Sequence, residues 1–457
     1  MIVAALRRWF PWIQLGWLIL LSPFLLFITI DRWWWLLGIP AIWLASWLTR
    51  GFPVPSTPLN ISAGFIAGMA IVSLLITPDM ALTLPKAAGL FLGLAALYAV
   101  VDVSRLPRGA ALIVGGLLVL GLGVSMLGLV GMQWLEKVGP LAAITASLPR
   151  FISGLPGAVE GFHPNEVAGA LLWIIPLALA LSLMLLRKQS RQKRLGIITG
   201  LAALGMLGVL ALSQSRSGWF GLTLAVLIML AFASRRLQWI MAGLAVFVIL
   251  VVAAIGPDRV GSRLFGSEAN SAAAYSAQQG LSSLNWGFRT EVWQTAVKGV
   301  SDFPFTGMGM GTFRKIGRLF YSLSIAPDYD FAHAHNELLQ TGLDLGIPGL
   351  VALLAIYFGA FGMLWSLWKS ATVQETRYLA LGLAGCLLAH AIYGLTDAVA
   401  LGAKPGVILW ILLGLTCGLF LHSRELSVRE FERVRPPFPA STEPPESSFS
   451  TASPPAR

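Results

Sequence analysis

Charge is what this sequence is short of. Asp, Glu, Lys and Arg together make up 12% of its 457 residues, against about 25% in soluble domains. So few charges cannot cover a water-facing surface, which excludes an ordinary soluble protein. Cysteine is nearly missing as well. The two present, Cys386 and Cys417, each sit inside an apolar run. They offer no disulfide framework and read as small core residues. Strict apolar–polar alternation is also lacking, so a β-barrel that spans a membrane is not expected. No internal repeat at a fixed period is visible, nor the inverted repeat common in transporters.

Long apolar runs fill the space. The chain is 56% hydrophobic, with 17 Trp and a mean hydropathy of +0.76. Runs of 18 residues or so, wound as helices, cross the roughly 30 Å of bilayer hydrocarbon. Helix is the form that pairs every backbone group within its own segment. Spans are expected near residues 10–30, 33–48, 60–76, 86–102, 110–132, 166–186, 195–213, 217–233, 238–256, 347–367, 377–396 and 405–421. The fold class is therefore all-α: a polytopic transmembrane bundle of about twelve helices. Arg7 and Arg8 precede an apolar stretch, as in a signal peptide, but no small-residue cleavage site follows. A retained first helix is expected.

The formal net charge is +11. Its sources lie between apolar runs, so orientation rather than nucleic-acid binding is the expectation. With the N-terminus inside, the inward connections hold Arg50, Arg105, Arg108, Arg187, Lys188, Arg191, Lys193, Arg194, Arg235, Arg236, Lys369 and Arg377. The outward ones are poorer: Arg32, Lys86, Lys137, Arg150, Arg216 and Lys404. That bias puts both termini in the cytoplasm. The expected organisation is spans one to nine over 1–256, a large outward loop over 257–346, and spans ten to twelve over 347–422. A cytoplasmic tail then covers 423–457, disordered from about residue 435 because its Pro- and Ser-rich composition cannot build a core. A second outward segment covers about 133–165. Unbroken loops of this length are uncommon without a function, and short helices are expected in the larger one, as at 290–299.

Four segments on the outward side carry chemistry. His333-Ala334-His335-Asn336-Glu337 ends the large loop; a histidine there is suited to general-base work, with an unperturbed pKa near 6.5. Its plain alternative is a wet polar loop. Ser213-Gln214-Ser215-Arg216-Ser217-Gly218-Trp219 puts an arginine on the side that the orientation rule disfavours. That fits an anionic target or a snorkelling side chain. Trp286-Gly287-Phe288-Arg289-Thr290-Glu291-Val292-Trp293 holds a second arginine, which also reads as a surface pair with Glu291. His163-Pro164-Asn165-Glu166 precedes span six, with Asn165 readable as a helix cap. His390 and Asp397 lie in or near span eleven, where ionisable groups are functional candidates, and Asp397 could face the same cavity. Asp328 and Asp330 precede the histidines in an Asp-x-Asp pattern, which sets a metal site beside a mere orienting or solvating role. Gly307-Met308-Gly309-Met310-Gly311 follows no strand and reads as a flexible turn rather than a nucleotide loop.

Together these motifs resemble the O-antigen ligase and polymerase family. The likeness rests on the Ser-Arg-Ser-Gly-Trp turn, Phe288-Arg289 with Trp293, and His335-Asn336 followed by Gly346-Ile347-Pro348-Gly349. The His163-Pro164-Asn165 segment and the span layout add to it. The resemblance implies a glycosyltransferase in the cytoplasmic membrane, working at its outer face. It would move a glycan from a polyprenyl-diphosphate carrier to an acceptor hydroxyl on lipid A core, another glycan or a protein. It implies inversion, no metal and no cofactor. His335 would be the base, with Arg216 and Arg289 on the diphosphate. His163, Asn165, Ser215, Ser217, His333, Asn336 and Asp397 are expected to contact substrate. A polymerase of the same family is the nearest alternative. A bicarbonate-type solute transporter is the alternative of another class, though its groups should gather near the midplane.

Overall fold

The computed structural model describes residues 2–134, 139–148, 151–152, 154, 161–187, 191–232, 235–256, 259, 286–323 and 331–434. The expected disordered tail beyond 434 and the Asp328-x-Asp330 pattern lie outside them. Every named element among the described residues is a helix. In chain order these are α1 (Ile2–Leu26), α2 (Gly38–Arg50), α3 (Asn60–Ile76), α4 (Met80–Ser104), α5 (Gly109–Gly131), α6 (Gly139–Thr145), α7 (Pro164–Leu172) and α8 (Ile175–Leu186). They continue with α9 (Arg191–Leu212), α10 (Arg216–Ala231), α11 (Arg235–Ile255), α12 (Trp286–Asp302), α13 (Phe313–Phe320), α14 (Glu337–Ser370), α15 (Gln374–Tyr393) and α16 (Val407–Val434). Short 3-10 turns precede α2 and α16.

Seven of the described helical stretches are long and apolar enough to cross a membrane, fewer than the dozen expected from the sequence. Two more, α3 and α10, are apolar but shorter. The second expected span is divided between a 3-10 turn and the 13 residues of α2, about 20 Å of helix at 1.5 Å per residue. The sixth is broken between α7 and α8, where Pro176 follows the interruption.

The bundle is built around α4. Small residues on all sides of this helix let neighbours approach closely, the usual basis of packing in membranes. Gly93 faces the Trp410 ring of α16, and a Cβ there would lie 2.1 Å from that ring. Across the same interface Gly414 meets the Leu97 carbonyl. Helices α1, α3 and α5 complete the surround. At one end of α4, Arg50 Nη1 donates to Asp102 Oδ2 at 2.5 Å, with both side chains buried.

The segments around the large loop form a second, smaller core. Phe288, Val292 and Ala296 of α12 pack with Met308, Phe313, Ile316, Phe331, Ala334 and Leu343. The glycine segment fastens this cap to the bundle and is not a free turn. Met310 N–H donates to Ser73 Oγ of α3, Thr83 Oγ1 of α4 donates to Met310 O, and Gly311 N–H donates to Asp344 Oδ1 of α14. Gly307 takes φ +68° with its α-carbon so close to α14 that a Cβ would lie 2.6 Å from Leu343 O. The tenth expected span, 347–367, falls within α14. Helix α14 opens at Glu337 because Asn336 caps it, its side chain accepting from Leu339 N–H at 3.0 Å. The first turns, to Leu345, belong to the cap; Gly346 at φ +69° then breaks the helix before its long apolar part.

Candidate functional site

The site is organised by one carboxylate. Helix α15 ends at Tyr393, and the next residues turn tightly: Thr396 N–H and Asp397 N–H both donate to Tyr393 O. The turn sends the Asp397 side chain, 1% exposed, into the protein. Its Oδ1 accepts from Ala398 N–H at 3.0 Å and faces His335 Nδ1 at 3.4 Å and His333 Nε2 at 3.8 Å. Its Oδ2 accepts from Asn165 Nδ2 and faces Arg289 Nη2 at 3.8 Å. Residues from α7, α12, the 331–336 segment and the turn after α15 thus meet on one group.

Each partner is fixed by its own element. Arg289 lies on α12 and is 2% exposed. His335 adopts φ +47°, a conformation that costs a side-chain-bearing residue free energy and persists where surroundings enforce it. Here Trp293 Nε1 donates to His335 O at 3.2 Å and the Phe288 ring meets the imidazole edge-on at 5.6 Å. The strain turns the His335 ring back toward Asp397. His163, rather than Asn165, caps α7, its Nδ1 accepting from Asn165 N–H at 3.3 Å with Pro164 in the first turn. This leaves the Asn165 side-chain amide to donate to Asp397, while the backbone carbonyl of Asn165 accepts from Tyr393 Oη at 2.8 Å.

The electrostatics follow from burial and neighbours. Burial alone pushes the Asp397 carboxyl up, but the contact and charge of His335, with Arg289 and His333, hold it below the usual carboxylate range. Burial, then the charge of His335, pushes His333 well below the usual histidine value, although Asp397 opposes the shift. His333 Nδ1 accepts from His335 N–H at 3.1 Å, so its proton sits on Nε2, toward Asp397. An ionised Asp397 likewise calls for a proton on His335 Nδ1, which leaves the Nε2 lone pair of His335 as the acceptor. Such an arrangement can take a proton and stabilise the resulting imidazolium. Potential ligand atoms of His333, His335 and Asp397 also lie within 4.8 Å of one another, close enough for one cation.

Arg216 reaches this region by another route. It opens α10 and is exposed, behind a cap in which Ser215 Oγ accepts from Gly218 N–H at 3.3 Å. Ser217 Oγ lies 2.9 Å from Thr396 Oγ1, joining the arginine turn to the residue before Asp397. Ser215 and Ser217 are buried, their hydroxyls engaged within the protein. The Asn336 side chain is engaged too, with Nδ2 donating to Leu395 O at 2.9 Å. Of the residues singled out in the sequence, Arg289, His333, His335 and Asn165 meet on Asp397. His163 and Arg216 stand at the ends of neighbouring helices.

The spacing of motifs did not reveal that Asp397 is the hub, nor that Trp293, Tyr393 and Thr396 hold it in place. The available signal was an acidic residue just beyond an apolar run, in Gly394-Leu395-Thr396-Asp397.

Comparison with known proteins found two matches. Residues 201–354 match the family model described as O-antigen ligase. A curated O-antigen ligase of Pseudomonas aeruginosa is 29% identical over 154 residues, 33% of this chain and 35% of the relative. The match thus spans about a third of the relative's length. The matched residues 201–354, which hold Arg216, Arg289 and His335, are similar to the O-antigen ligase family.

Proposed function

We propose that this protein transfers a glycan from a polyprenyl-diphosphate carrier to an acceptor hydroxyl, as an O-antigen ligase-type glycosyltransferase. One observation carries the reading: His335, His333, Arg289 and Asn165, distant in sequence, gather on the buried Asp397. A scaffold has no use for that arrangement, and a diphosphate-leaving transfer has a use for each part.

In this mechanism the acceptor hydroxyl gives its proton to His335 Nε2, and Asp397 offsets the imidazolium charge. The acceptor oxygen bonds to the anomeric carbon as that carbon's bond to the diphosphate oxygen breaks. Entry opposite the leaving group inverts the centre. Charge grows on the departing diphosphate, and arginine forks are suited to it. Arg289 lies in the buried site and Arg216 at an exposed helix start, joined to the Asp397 turn through Ser217 and Thr396. The proton on His335 leaves to water or the diphosphate, restoring the base. The open face of α12 along Thr290, Trp293, Gln294, Val297 and Lys298 forms a shallow groove; we assign it to the acceptor. No step needs a metal.

The reading includes about twelve spans, both termini inside and the site facing outward. The bias of Lys and Arg across the connections supports that orientation. Deletion of the gene tests the function. Carrier-linked glycan should accumulate and one acceptor class go unmodified, with the wild-type gene reversing both and His335→Ala or Arg216→Ala reversing neither. Restoration by both variants would remove these residues from the mechanism. Protein-dependent solute uptake into vesicles without a polyprenyl donor would favour a transporter.

A further inference from the structure

Glu337 and His390 take no part in the chemistry above, yet both are buried, their side chains 4% and 0% exposed. His390 Nδ1 lies 3.2 Å from Glu337 Oε2. The imidazole stacks on Trp173, at the end of α7, with ring centroids 3.9 Å apart and planes 21° from parallel. Glu337 Oε1, His390 Nε2, Trp173 Nε1 and the Tyr357 hydroxyl are all buried without a hydrogen-bond partner among the described residues. An apolar pair of similar volume would pack such a place at lower cost, so a purely architectural role leaves the polar groups unexplained.

Their position supplies a role. Glu337 is the second residue after His335 and the first of α14. Its N–H donates to Gly394 O at 2.7 Å, and Gly394 N–H donates to His390 O at 2.7 Å. Next to it, Asn336 Nδ2 donates to Leu395 O. The 335–337 segment is therefore laced to the 390–397 segment, one carrying the imidazole and the other the carboxylate. The Glu337–His390 contact is the side-chain closure of that seam. We propose that Glu337 and His390 are positioning residues that set the His335–Asp397 contact. The proposal rests on the assignment of His335 and Asp397 made above, though its spectroscopic test does not need the transfer reaction.

The chain has five histidines, few enough for selective ¹⁵N-histidine labelling of the full protein in detergent. The proton shared by His335 Nδ1 and Asp397 is expected as a downfield resonance, identified by its loss in His335→Gln. It should shift or broaden in Glu337→Gln and in His390→Gln. The double variant, whose two amides can pair, should recover part of it, a departure from additivity that marks coupling. Gly394→Ala gives a milder test. The added Cβ would lie 2.6 Å from Glu337 Oε2, moving the carboxylate without removing charge, and should shift the resonance in the same direction. In transfer assays the single variants should lose about 10- to 100-fold in kcat, the scale of a slight misplacement, with donor KM within about twofold. An unmoved resonance in monodisperse Glu337→Gln, His390→Gln and Gly394→Ala proteins would overturn the proposal, whatever transfer does. If the wild type failed to transfer glycan, the proposed function would fall while the resonance still judged the positioning role.

Discussion

Asp397→Asn separates the two tasks that the structure gives this residue. The change is nearly isosteric and keeps the turn after α15, but removes the charge facing His335 Nδ1 at 3.4 Å and Arg289 Nη2 at 3.8 Å. For unit charges at 3.4 Å and an effective dielectric of 20, the interaction with an imidazolium is roughly 5 kcal/mol. The asparagine carbonyl and local rearrangement should restore part of it, leaving about 3 to 4 kcal/mol, or about 100- to 1000-fold in kcat. The second task is structural. Arg289, 2% exposed, would lose the Asp397 charge, and breaking a buried pair at one partner costs about 3 to 5 kcal/mol. Adding Arg289→Gln should therefore regain thermal stability without regaining transfer. The assay is transfer from a polyprenyl-diphosphate glycan at saturating donor, with melting temperature read on the same preparations. Transfer within threefold of wild type in Asp397→Asn would refute the reasoning, as would a double variant less stable than the single one.

Further tests bear on separate parts of the structure. His335→Gln should lose about 100- to 10,000-fold in transfer rate, the range for a general base, with little change in melting temperature. His333 is held neutral in the folded protein, below the usual histidine value, so between that lowered pKa and about 6.5 the unfolded chain binds more protons. Melting temperature should thus fall as pH is lowered from 7 through this window, and His333→Gln should flatten the fall; an unchanged slope would count against it. Dialysis against a chelator should leave transfer intact, whereas loss restored by one added cation would turn His333, His335 and Asp397 into metal ligands. Gly307→Ala places a Cβ 2.6 Å from Leu343 O at φ +68°; it should cost about 1 to 3 kcal/mol and first expose the cap around Phe288 to proteolysis.

The helical class was legible because continuous apolar runs leave the backbone one way to satisfy itself in lipid. Individual edges were less so. Asn336 caps α14 so that the helix opens at Glu337, ahead of the tenth expected span, and Gly346 breaks it just before that span begins. An uninterrupted hydropathy stretch likewise hid the break between α7 and α8. In the candidate site, motif order singled out Arg216, Arg289 and His335, since arginine is disfavoured in outward connections and the chain has five histidines. Asp397 was harder to rank: a lone acid past a helix end looks the same whether it faces water or four partners. Only the tertiary path of α15 brings it to Asn165, 232 positions away. Ser215 and Ser217 have structural tasks that residue type alone did not suggest, a helix cap and a Thr396 contact.

The most direct trial is a reconstituted one: purified protein in vesicles, a polyprenyl-diphosphate glycan, an acceptor, and measured release of free polyprenyl diphosphate alongside the glycosylated product. Wild-type protein should release carrier and form product in equal amounts, and folded His335→Ala should do neither above background. Equal rates from the two proteins would contradict the account.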